Sequence, residues 1–505
     1  MGIKAWKNPN QRPQVKAIFH EKRLVVRPLQ IDTEKASIER PMPISNISTI
    51  LIFLCFEAQR YHYLRTFAQN SFIMKKYLLI IIALLLASGT FAQKQEIIKK
   101  GWNIGPLPVL GYDSDLGFQY GACVDFFNYG DGSHYPRYNY KFNVEISRYT
   151  KGSGVFRFYS DMPYLIKDTK LFFDVTYNYA KKYEFFGFDG YEASRVDPVV
   201  TAAELLNLDT VSGYHFIKRN QLRVLGSVQR PIPGVNNLNW VAGFAYYNVR
   251  TDSINLKAYE GQPTLYSKYL EKGLIKPDEA NGGNIAQLRL GVIYDSRDHN
   301  NDPSKGIYAE YTLTGASDFI DGNGYNYLAQ TLMWRHYIPI YKNKLTFAYR
   351  LGMQHKIAGS MPWYMLNNIN ATFFQKMYTE GLGGVVTMRG VNRNSVLGEG
   401  FVLGNLELRW HFLDFQFINQ NWQLAMAPFF DAGMIFQGFR EDELKDLDAN
   451  YYSGDKESIH TSAGLGLKII MNRNMILAVD MGRALDVRDR DAKKFKTFVG
   501  FNYIF

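Results

Sequence analysis

Few residues of this 505-residue chain stand in patterns that carry catalytic or metal chemistry. The run Asp298-x-Asn300-x-Asp302 resembles the start of a calcium loop. However, Pro303 and Ala309 stand where that loop needs Gly and Glu, so a polar turn is favoured. The pattern Gly-x-Ser-x-Gly does not occur, which argues against an esterase domain. We predict no enzymatic activity, no cofactor and no metal site; a barrel lipase that pairs a Ser with a His stays open.

Three histidines and two carboxylates are the other residues whose side chains could bind a ligand or take part in a reaction. His336, His355 and His411 lack the spacing of metal ligands and are interpreted as wall residues. Glu407 and Asp431 could bind a guanidinium through two parallel hydrogen bonds. Whether a cation reaches them depends on the elements that carry them.

Those elements show apolar and polar residues in alternation, which predicts β-strands. In Leu406–Phe412 the even-numbered positions are apolar or aromatic, whereas Glu407, Arg409 and His411 lie between them. Leu171–Tyr179 follows the same rule, and 35 Tyr, 35 Phe and 42 Gly suit such strands and their turns. One face of each strand is therefore apolar and the other polar.

Sixteen segments of this kind follow residue 101, and most exceed the roughly nine to eleven residues that a tilted strand needs to cross a bilayer. We predict strands at 104–112, 116–128, 137–149, 152–162, 168–182, 214–228, 238–250, 283–295, 306–318, 325–339, 344–357, 400–413, 421–436, 458–471, 474–483 and 496–505.

The lengths of the connections indicate how the strands are arranged. The long connections 183–213, 251–282, 358–399 and 437–457 all follow odd-numbered strands, whereas no connection after an even-numbered strand exceeds ten residues. A soluble sandwich has no reason to sort its loops in this way, but an outer-membrane barrel has long loops on one side. The predicted fold is therefore all-β, a closed antiparallel transmembrane β-barrel of about 16 strands.

Residues 74–92 have the composition of a secretory signal peptide. Their apolar core, Tyr77–Ala87, is shorter than the roughly 20 residues of a spanning helix, and small residues end at Ala92, where cleavage is expected. We expect Met74 to be the initiator and residues 1–73 to be an upstream extension outside the protein. A genuine long extension is the alternative.

The remaining chain is nearly neutral. The full sequence carries a formal charge of +11, but residues 1–92 hold 13 of its 58 basic and 5 of its 47 acidic residues, which leaves +3. No basic stripe is needed, and no nucleic-acid partner is predicted. Cys123 is the one cysteine left, so no internal disulfide is expected. We predict a short periplasmic segment at 93–101 and the barrel at 102–505.

Four segments carry motifs that go beyond the barrel pattern. Leu290–Asp298 contains Asp295, Arg297 and Asp298, and Gly306 follows after a short turn. The other three lie in the longest connection and in the two strands after it: Gly383, Gly384 and Met388-Arg389-Gly390-Val391; Gly404 to Arg409; and Pro428 to Gly433.

In order and spacing, these segments resemble the BamA/TamA-type outer-membrane proteins, the bacterial surface antigen family. The resemblance covers roughly residues 102–505 and implies an integral barrel in the outer membrane of a Gram-negative cell. Members that assemble other proteins carry periplasmic repeat domains before the barrel. The roughly ten residues between Gln93 and the first strand have no room for them.

The resemblance also implies that the longest connection folds into the barrel. Arg389, followed by Gly390, is then predicted to dock against Glu407 and Asp431, because its planar fork suits bidentate contact with carboxylates. The alternative is an exposed loop cation. Val391 departs from the family, in which an aromatic residue is usual at this position.

The C-terminus carries alternating aromatic residues. Phe501, Tyr503 and Phe505 resemble the terminal strand that the barrel assembly machinery recognises in outer-membrane proteins. The final strand of any β-domain is the alternative.

These features together predict a function at the outer membrane. The leading hypothesis is assistance in the insertion or translocation of proteins or lipids, through a seam between the last strand and a first strand weakened by Pro106 and Pro108. The expected partners are outer-membrane lipids, the barrel assembly machinery and a periplasmic or lipoprotein partner. A passive pore or uptake channel is the alternative, because one face of each strand is polar.

Overall fold

The computed structural model describes residues 97–505 except 115, 189–212, 255–262, 323, 343, 373–379, 441, 443–456, 489–491, 493 and 502. The predicted signal peptide at 74–92 and the upstream segment 1–73 lie outside the described residues. The first strand begins at Trp102.

Within these described residues, sixteen antiparallel strands close into one barrel, which confirms the predicted fold. Each strand pairs with its neighbours in the sequence, and the first strand pairs with the last. The strands are β1 (Trp102–Asp113), β2 (Gly117–Asn128), β3 (Tyr140–Tyr149), β4 (Ser153–Ile166), β5 (Thr169–Glu184), β6 (Phe216–Pro231), β7 (Leu238–Ser253), β8 (Gly282–Asp295), β9 (Gly306–Ala316), β10 (Tyr327–Tyr341), β11 (Leu345–Gly359), β12 (Gly400–Phe417), β13 (Gln420–Gln437), β14 (His460–Met471), β15 (Met475–Ala484) and β16 (Lys496–Phe501).

The alternation in the sequence sorts side chains between lipid and lumen. On β12, Leu406, Leu408 and Trp410 are exposed on the outer face, whereas Glu407 and Arg409 between them are buried. Successive side chains of a strand point to opposite faces, so the apolar set meets lipid and the polar set fills the interior. The predicted orientation of this strand is confirmed.

The long connections 185–215, 254–281, 360–399 and 438–459 all leave and rejoin the wall at one end of the barrel, hereafter the long-loop end. The turn 129–139 at the other end is slightly longer than the predicted limit of ten residues. β3 begins at Tyr140 rather than at 137, because a backbone hydrogen bond from Arg137 to His134 belongs to the turn and not to the ladder.

In the described part of the chain, short helices occur within connections that follow odd-numbered strands. They are α1 (Leu265–Glu271), α2 (Asp318–Asp321) and a 3-10 helix at Trp363–Met365. In the described part of the chain, no helix is long and apolar enough to cross a membrane. Tyr266 and Tyr269 of α1 pack with Trp363 in one buried aromatic cluster.

The junction between β1 and β16, hereafter the seam, is the weakest part of the wall. β1 pairs with β2 over its whole length, from Trp102 to Asp113. In the described part of β16, its pairs with β1 are Tyr112 with Val499 and Asp113 with Phe498. The edge of β1 below Tyr112 therefore lacks a ladder with β16.

Candidate functional site

The two carboxylates that the sequence singled out lie side by side in the lumen. Glu407 is on β12 and Asp431 is on β13, and both side chains are buried. In the ladder between these strands, Asn405 is opposite Asp431 and Glu407 is opposite Phe429. Buried carboxylates this close to each other need a cation to remain ionised.

Arg389, from the connection 360–399, supplies that cation. Its Nε and Nη2 donate to Asp431 Oδ2 and Oδ1, each at 3.0 Å, and its Nη1 donates to Glu407 Oε1 at 2.6 Å. The backbone N–H of Arg389 also donates to Asp431, and its guanidinium lies 3.5 Å from the ring centroid of Phe429. The structure thus brings together the three residues that were predicted to dock, hereafter the lock: Arg389, Glu407 and Asp431.

Three further residues complete this network and were not singled out from the sequence. Asp480 on β15 lies 3.5 Å from Arg389 Nη1 and accepts two hydrogen bonds from Lys468 on β14. Asn405 donates to both Asp431 Oδ1 and the carbonyl of Thr387. In the sequence, each of these residues is recognisable only as a polar residue on a predicted strand. Many other residues share that property, so their contacts with the lock are visible only in the closed barrel.

Two glycines allow residues 388–391 of the connection 360–399, hereafter the loop tip, to approach the barrel wall closely. Gly390 has a φ of +100°, and a Cβ there would lie 2.6 Å from the backbone nitrogen of Arg483. Gly433 on β13 faces the loop, and a Cβ there would lie 2.8 Å from the sulfur of Met388. Larger residues at either position would push Arg389 away from its carboxylates.

Gly383 and Gly384 form a tight turn before the loop tip. Both have positive φ, and the N–H of Gly383 donates to Thr387 Oγ1 at 2.9 Å. The N–H of Gly384 donates to the carbonyl of Val391. Val391, where the family usually has an aromatic residue, is buried in an apolar cluster with Met388.

The turn between β8 and β9 holds the other predicted motif. Arg297 donates to both oxygens of Asp295, at 2.8 and 2.7 Å, and its guanidinium stacks on the ring of Tyr308. Asp298 accepts from the N–H groups of Ser304 and Lys305 and from the Ser304 hydroxyl. These carboxylates therefore organise the turn.

The environment of Asp298 favours its charged form. Burial acts to raise the pKa of this carboxyl, but the hydrogen bonds from Ser304 and Lys305, with the positive charge of Arg473, outweigh burial and hold the pKa below its ordinary value. Asp298 therefore stays ionised as an acceptor for the turn.

A comparison with protein-family models decides the family. The model of the Omp85 superfamily domain matches residues 137–500, which include the turn motif, the loop tip and both carboxylate strands. The chain belongs to the Omp85 superfamily. The resemblance to BamA/TamA-type proteins drawn from the sequence is confirmed at the level of this superfamily, whose β-barrels are outer-membrane proteins.

Two solved structures are similar to this chain over most of its length. BamA from Haemophilus ducreyi lacking POTRA domains 1–3 is 17% identical, with a TM-score of 0.47, and the match covers 80% of this chain and 71% of that one. CdiB from Escherichia coli is 10% identical, with a TM-score of 0.47, over 80% of this chain and 63% of that one. Among curated proteins, none matches the chain.

Gly306 ends the turn motif of this Omp85 barrel, and its substitution tests the turn. It has a φ of +103°, and a Cβ there would lie 2.4 Å from the carbonyl oxygen of Ser296. Gly306→Ala is expected to destabilise the barrel by about 1–3 kcal/mol, through backbone strain and a clash with the turn. Heat titration on a semi-native gel measures this effect.

Gly315→Ala provides a matched control on the same strand. Its Cβ would meet nothing closer than Leu328 Cδ1 at 3.9 Å. Equal unfolding midpoints for the two variants would contradict the importance of the Gly306 turn.

The final strand is shorter than predicted. β16 ends at Phe501, which is exposed on the outer face, and not at 505. Tyr503 and Phe505 are buried inside the barrel instead of continuing the outward alternation. The physical reason is that lumen arginines bind this segment, since Arg409 Nη2 donates to the Phe505 carbonyl at 2.6 Å. The role of these aromatic residues in assembly stays a prediction.

Two arginines connect the inward C-terminus with the lock. Glu407 accepts from Arg389 through Oε1 and from Arg409 through Oε2. Arg350 donates to the carbonyl of Ile504 at 2.9 Å and to the carbonyl of Val386, in the loop, at 2.9 Å. Arg350 carries no signal in the sequence, and the motif that contains Arg409 does not indicate this contact, because nothing in the linear pattern indicates that the chain end turns inward.

The three histidines lie on strands, as interpreted from the sequence. His336 Nδ1 is 3.2 Å from the hydroxyl of Tyr349, and His411 Nε2 is 3.2 Å from Asp302 Oδ1. His355 Nδ1 is 3.2 Å from Gln330 Nε2. His336 and His355 each contact the neighbouring strand, whereas His411 contacts the turn between β8 and β9.

Proposed function

We propose that this Omp85 barrel assists the insertion or translocation of proteins or lipids at the outer membrane. The observation that carries the proposal is the seam, where β1 below Tyr112 has no ladder with the described part of β16. A strand edge in lipid needs hydrogen-bond partners, because no water is available there. An incoming strand would supply them by pairing with β1.

The prolines of β1 support this interpretation. Pro106 and Pro108 have no N–H to donate, and the ladder with β16 begins only beyond them, at Tyr112. Opening the seam therefore breaks few hydrogen bonds compared with opening any other junction of the wall.

The docked loop reaches the seam as well. Arg393 of the connection 360–399 bonds to Asp113, the last residue of β1, and to Glu380 within the loop. A change in loop position is thus coupled to the end of β1 that still pairs with β16. The partners proposed from the sequence, outer-membrane lipids, the barrel assembly machinery and a periplasmic or lipoprotein partner, suit such a role.

Depletion of the protein in cells tests the proposal. We expect particular outer-membrane proteins or surface lipids to disappear before general envelope stress begins, because their insertion depends directly on this barrel. Quantitative proteomics and lipid analysis of outer membranes over time measure this order. An unchanged membrane composition would contradict the proposal.

A passive pore is the second candidate, and one cavity favours it. A space of about 400 Å³ runs through the lumen, from Tyr112 near the long-loop end to Asn301 and Asn474 at the other end. Planar-bilayer recordings separate the two candidates. A pore gives large, steady conductance steps, whereas a lumen filled by the docked loop gives small, unstable ones.

A further inference from the structure

Exposed basic side chains are concentrated on one sector of the barrel, at the long-loop end of β3 to β7. One exposed acidic residue, Asp252, accompanies them in the described part of these strand ends, and Glu184 is half-buried. At the same end of β9 to β14, no described outward-facing residue is Lys or Arg. The basic residues, hereafter the basic rim, are Arg148, Lys151, Lys181, Lys218 and Arg250.

Three residues of the basic rim lie on neighbouring strands. The ladder between β5 and β6 makes Lys181 and Lys218 neighbours at the end of the wall. Lys218 is opposite Asp252 on β7, and Arg250 is its diagonal neighbour on the same face. Opposed and diagonal neighbours on one face are within reach of long side chains. Lys181, Lys218 and Arg250, hereafter the rim cluster, can therefore contact one small anionic group.

The described part of the chain does not neutralise these cations. Lys218 Nζ lies 3.9 Å from Asp252 Oδ2, but both side chains are more than half exposed, so water screens the attraction. Arg148, Lys181 and Arg250 have no ion pair with a described residue. Their hydrogen-bond donors are therefore available to a ligand at the surface.

The lipid-facing side of β6 shows at which level of the membrane Lys218 lies. Lys218 and Arg230 are twelve residues apart on the same face of this strand, with Leu222 and Val224 between them. Twelve residues at about 3.3 Å each, on a strand tilted by about 40°, span about 30 Å of height, which is the thickness of the hydrocarbon core. Lys218 and Arg230 thus lie at the two opposite headgroup levels.

An aromatic cluster on the outer face lies at the same level as the basic rim. Phe156 packs against Tyr177 and Tyr179, with ring centroids 6.4 and 6.2 Å apart. The ring of Tyr179 lies against Gly154, whose lack of a side chain leaves room for it, and Gly154 is opposite Arg148 on β3. Aromatic girdles mark the headgroup interfaces of outer-membrane barrels. An aromatic ring at this interface therefore lies between Arg148 and the rim cluster.

We propose that the basic rim binds a glycolipid of the outer leaflet that carries two phosphate groups. The longer loops of outer-membrane barrels are extracellular, so the rim lies beside the outer leaflet. The rim cluster donates to one phosphate and Arg148 donates to the other, because Lys and Arg both form charge-assisted hydrogen bonds with phosphate. The sugar between the phosphates lies against the ring of Tyr179, which suits an interfacial position.

Two groups of cations on either side of a ring match a sugar headgroup with two phosphates better than a phospholipid headgroup with one. Complementary charge over a surface favours binding of such a ligand. The site does not depend on the proposed function of the barrel, because it uses the outer face alone.

Native mass spectrometry of the delipidated protein, mixed with lipid A that carries two phosphates, tests the site. The double variant Lys218→Gln/Arg250→Gln is expected to weaken binding by at least about tenfold, because charge-assisted hydrogen bonds are lost. The matched control Arg230→Gln/Lys342→Gln removes two exposed cations at the other end of the barrel and should bind like the unaltered protein. Heat-modifiable migration on a gel confirms that each variant is folded.

Two further lipids identify the headgroup. Lipid A with a single phosphate should bind the unaltered protein more weakly than the form with two, and Arg148→Gln should reduce this difference. Lipid A that binds both double variants equally, or that does not bind the unaltered protein, would overturn the proposal. Phosphatidylglycerol that binds as tightly as lipid A with two phosphates would also overturn it, since one phosphate would then be sufficient.

Discussion

Arg389→Ala is expected to lower the unfolding temperature of the barrel on a semi-native gel more than any other single loop substitution. The side chain is fully buried and bonds to Asp431 and Glu407, with Asp480 at 3.5 Å. Removing one partner of a buried ion pair typically costs about 3–5 kcal/mol, because the remaining charges stay buried without compensation.

In Arg389→Ala, the loss of stabilising contacts should extend beyond the ion pairs. The loop tip is held by the guanidinium, so its apolar cluster around Met388 and Val391 also loses a fixed position. We expect loop 360–399 to become accessible to added protease in the variant, whereas it is protected in the unaltered barrel. Limited proteolysis of intact cells measures this change.

Two control variants identify the cause. Arg488→Ala removes an exposed arginine that pairs with the partly buried Asp486, and it should change the midpoint little. Asp431→Asn keeps the shape of one acceptor but removes its charge. Its unfolding midpoint should fall between those of Arg389→Ala and Arg488→Ala. An unchanged midpoint for Arg389→Ala, or a decrease equal to that of Arg488→Ala, would show that this arginine does not hold the loop.

A disulfide across the seam is expected to abolish insertion or translocation activity and to restore it on reduction. Tyr112 and Val499 are directly opposite each other on β1 and β16. Opposed residues of antiparallel strands have Cα atoms about 4.5–5.5 Å apart, which is within the range of a disulfide. Cysteines at both positions, in a chain whose Cys55 and Cys123 are replaced by Ser, would lock the seam.

A second disulfide separates seam opening from general rigidity. Val144 and Phe158 are opposite each other on β3 and β4, both on the outer face. This junction is fully paired and is not expected to open. Insertion of a reporter barrel protein into lipid vesicles, with and without reductant, measures both variants. Full activity of the oxidised seam variant would exclude opening of the seam between β1 and β16.

Much of the fold follows from local patterns in the sequence. The sixteen strands were predicted because alternation reports which side of a strand meets lipid, and that rule depends on neighbouring residues alone. Segment 406–412 shows this, since its apolar positions face outward in the structure. The long connections after odd-numbered strands are likewise visible in the sequence, because an up-and-down barrel alternates its ends.

The candidate site could be predicted from the sequence only in part. Arg389, Glu407 and Asp431 were selected because the family motifs mark them, and their chemistry explains why they meet. Asp480, Lys468 and Arg350 carry no local mark, because a polar residue on a strand is common, and the motif that contains Arg409 does not indicate its partners. They become partners only when β14 and β15 close against β12 and β13 around the docked loop.

The end of the chain shows why the sequence was insufficient there. Alternation placed Phe501, Tyr503 and Phe505 on one outer face, whereas the structure places Tyr503 and Phe505 inside. Local alternation predicts a face only while a strand continues, and it contains no information on where a ladder stops. The sequence by itself determined the barrel, its strand order and the lipid-facing residues. The tertiary structure decided which lumen charges meet, because those contacts join residues far apart in the chain.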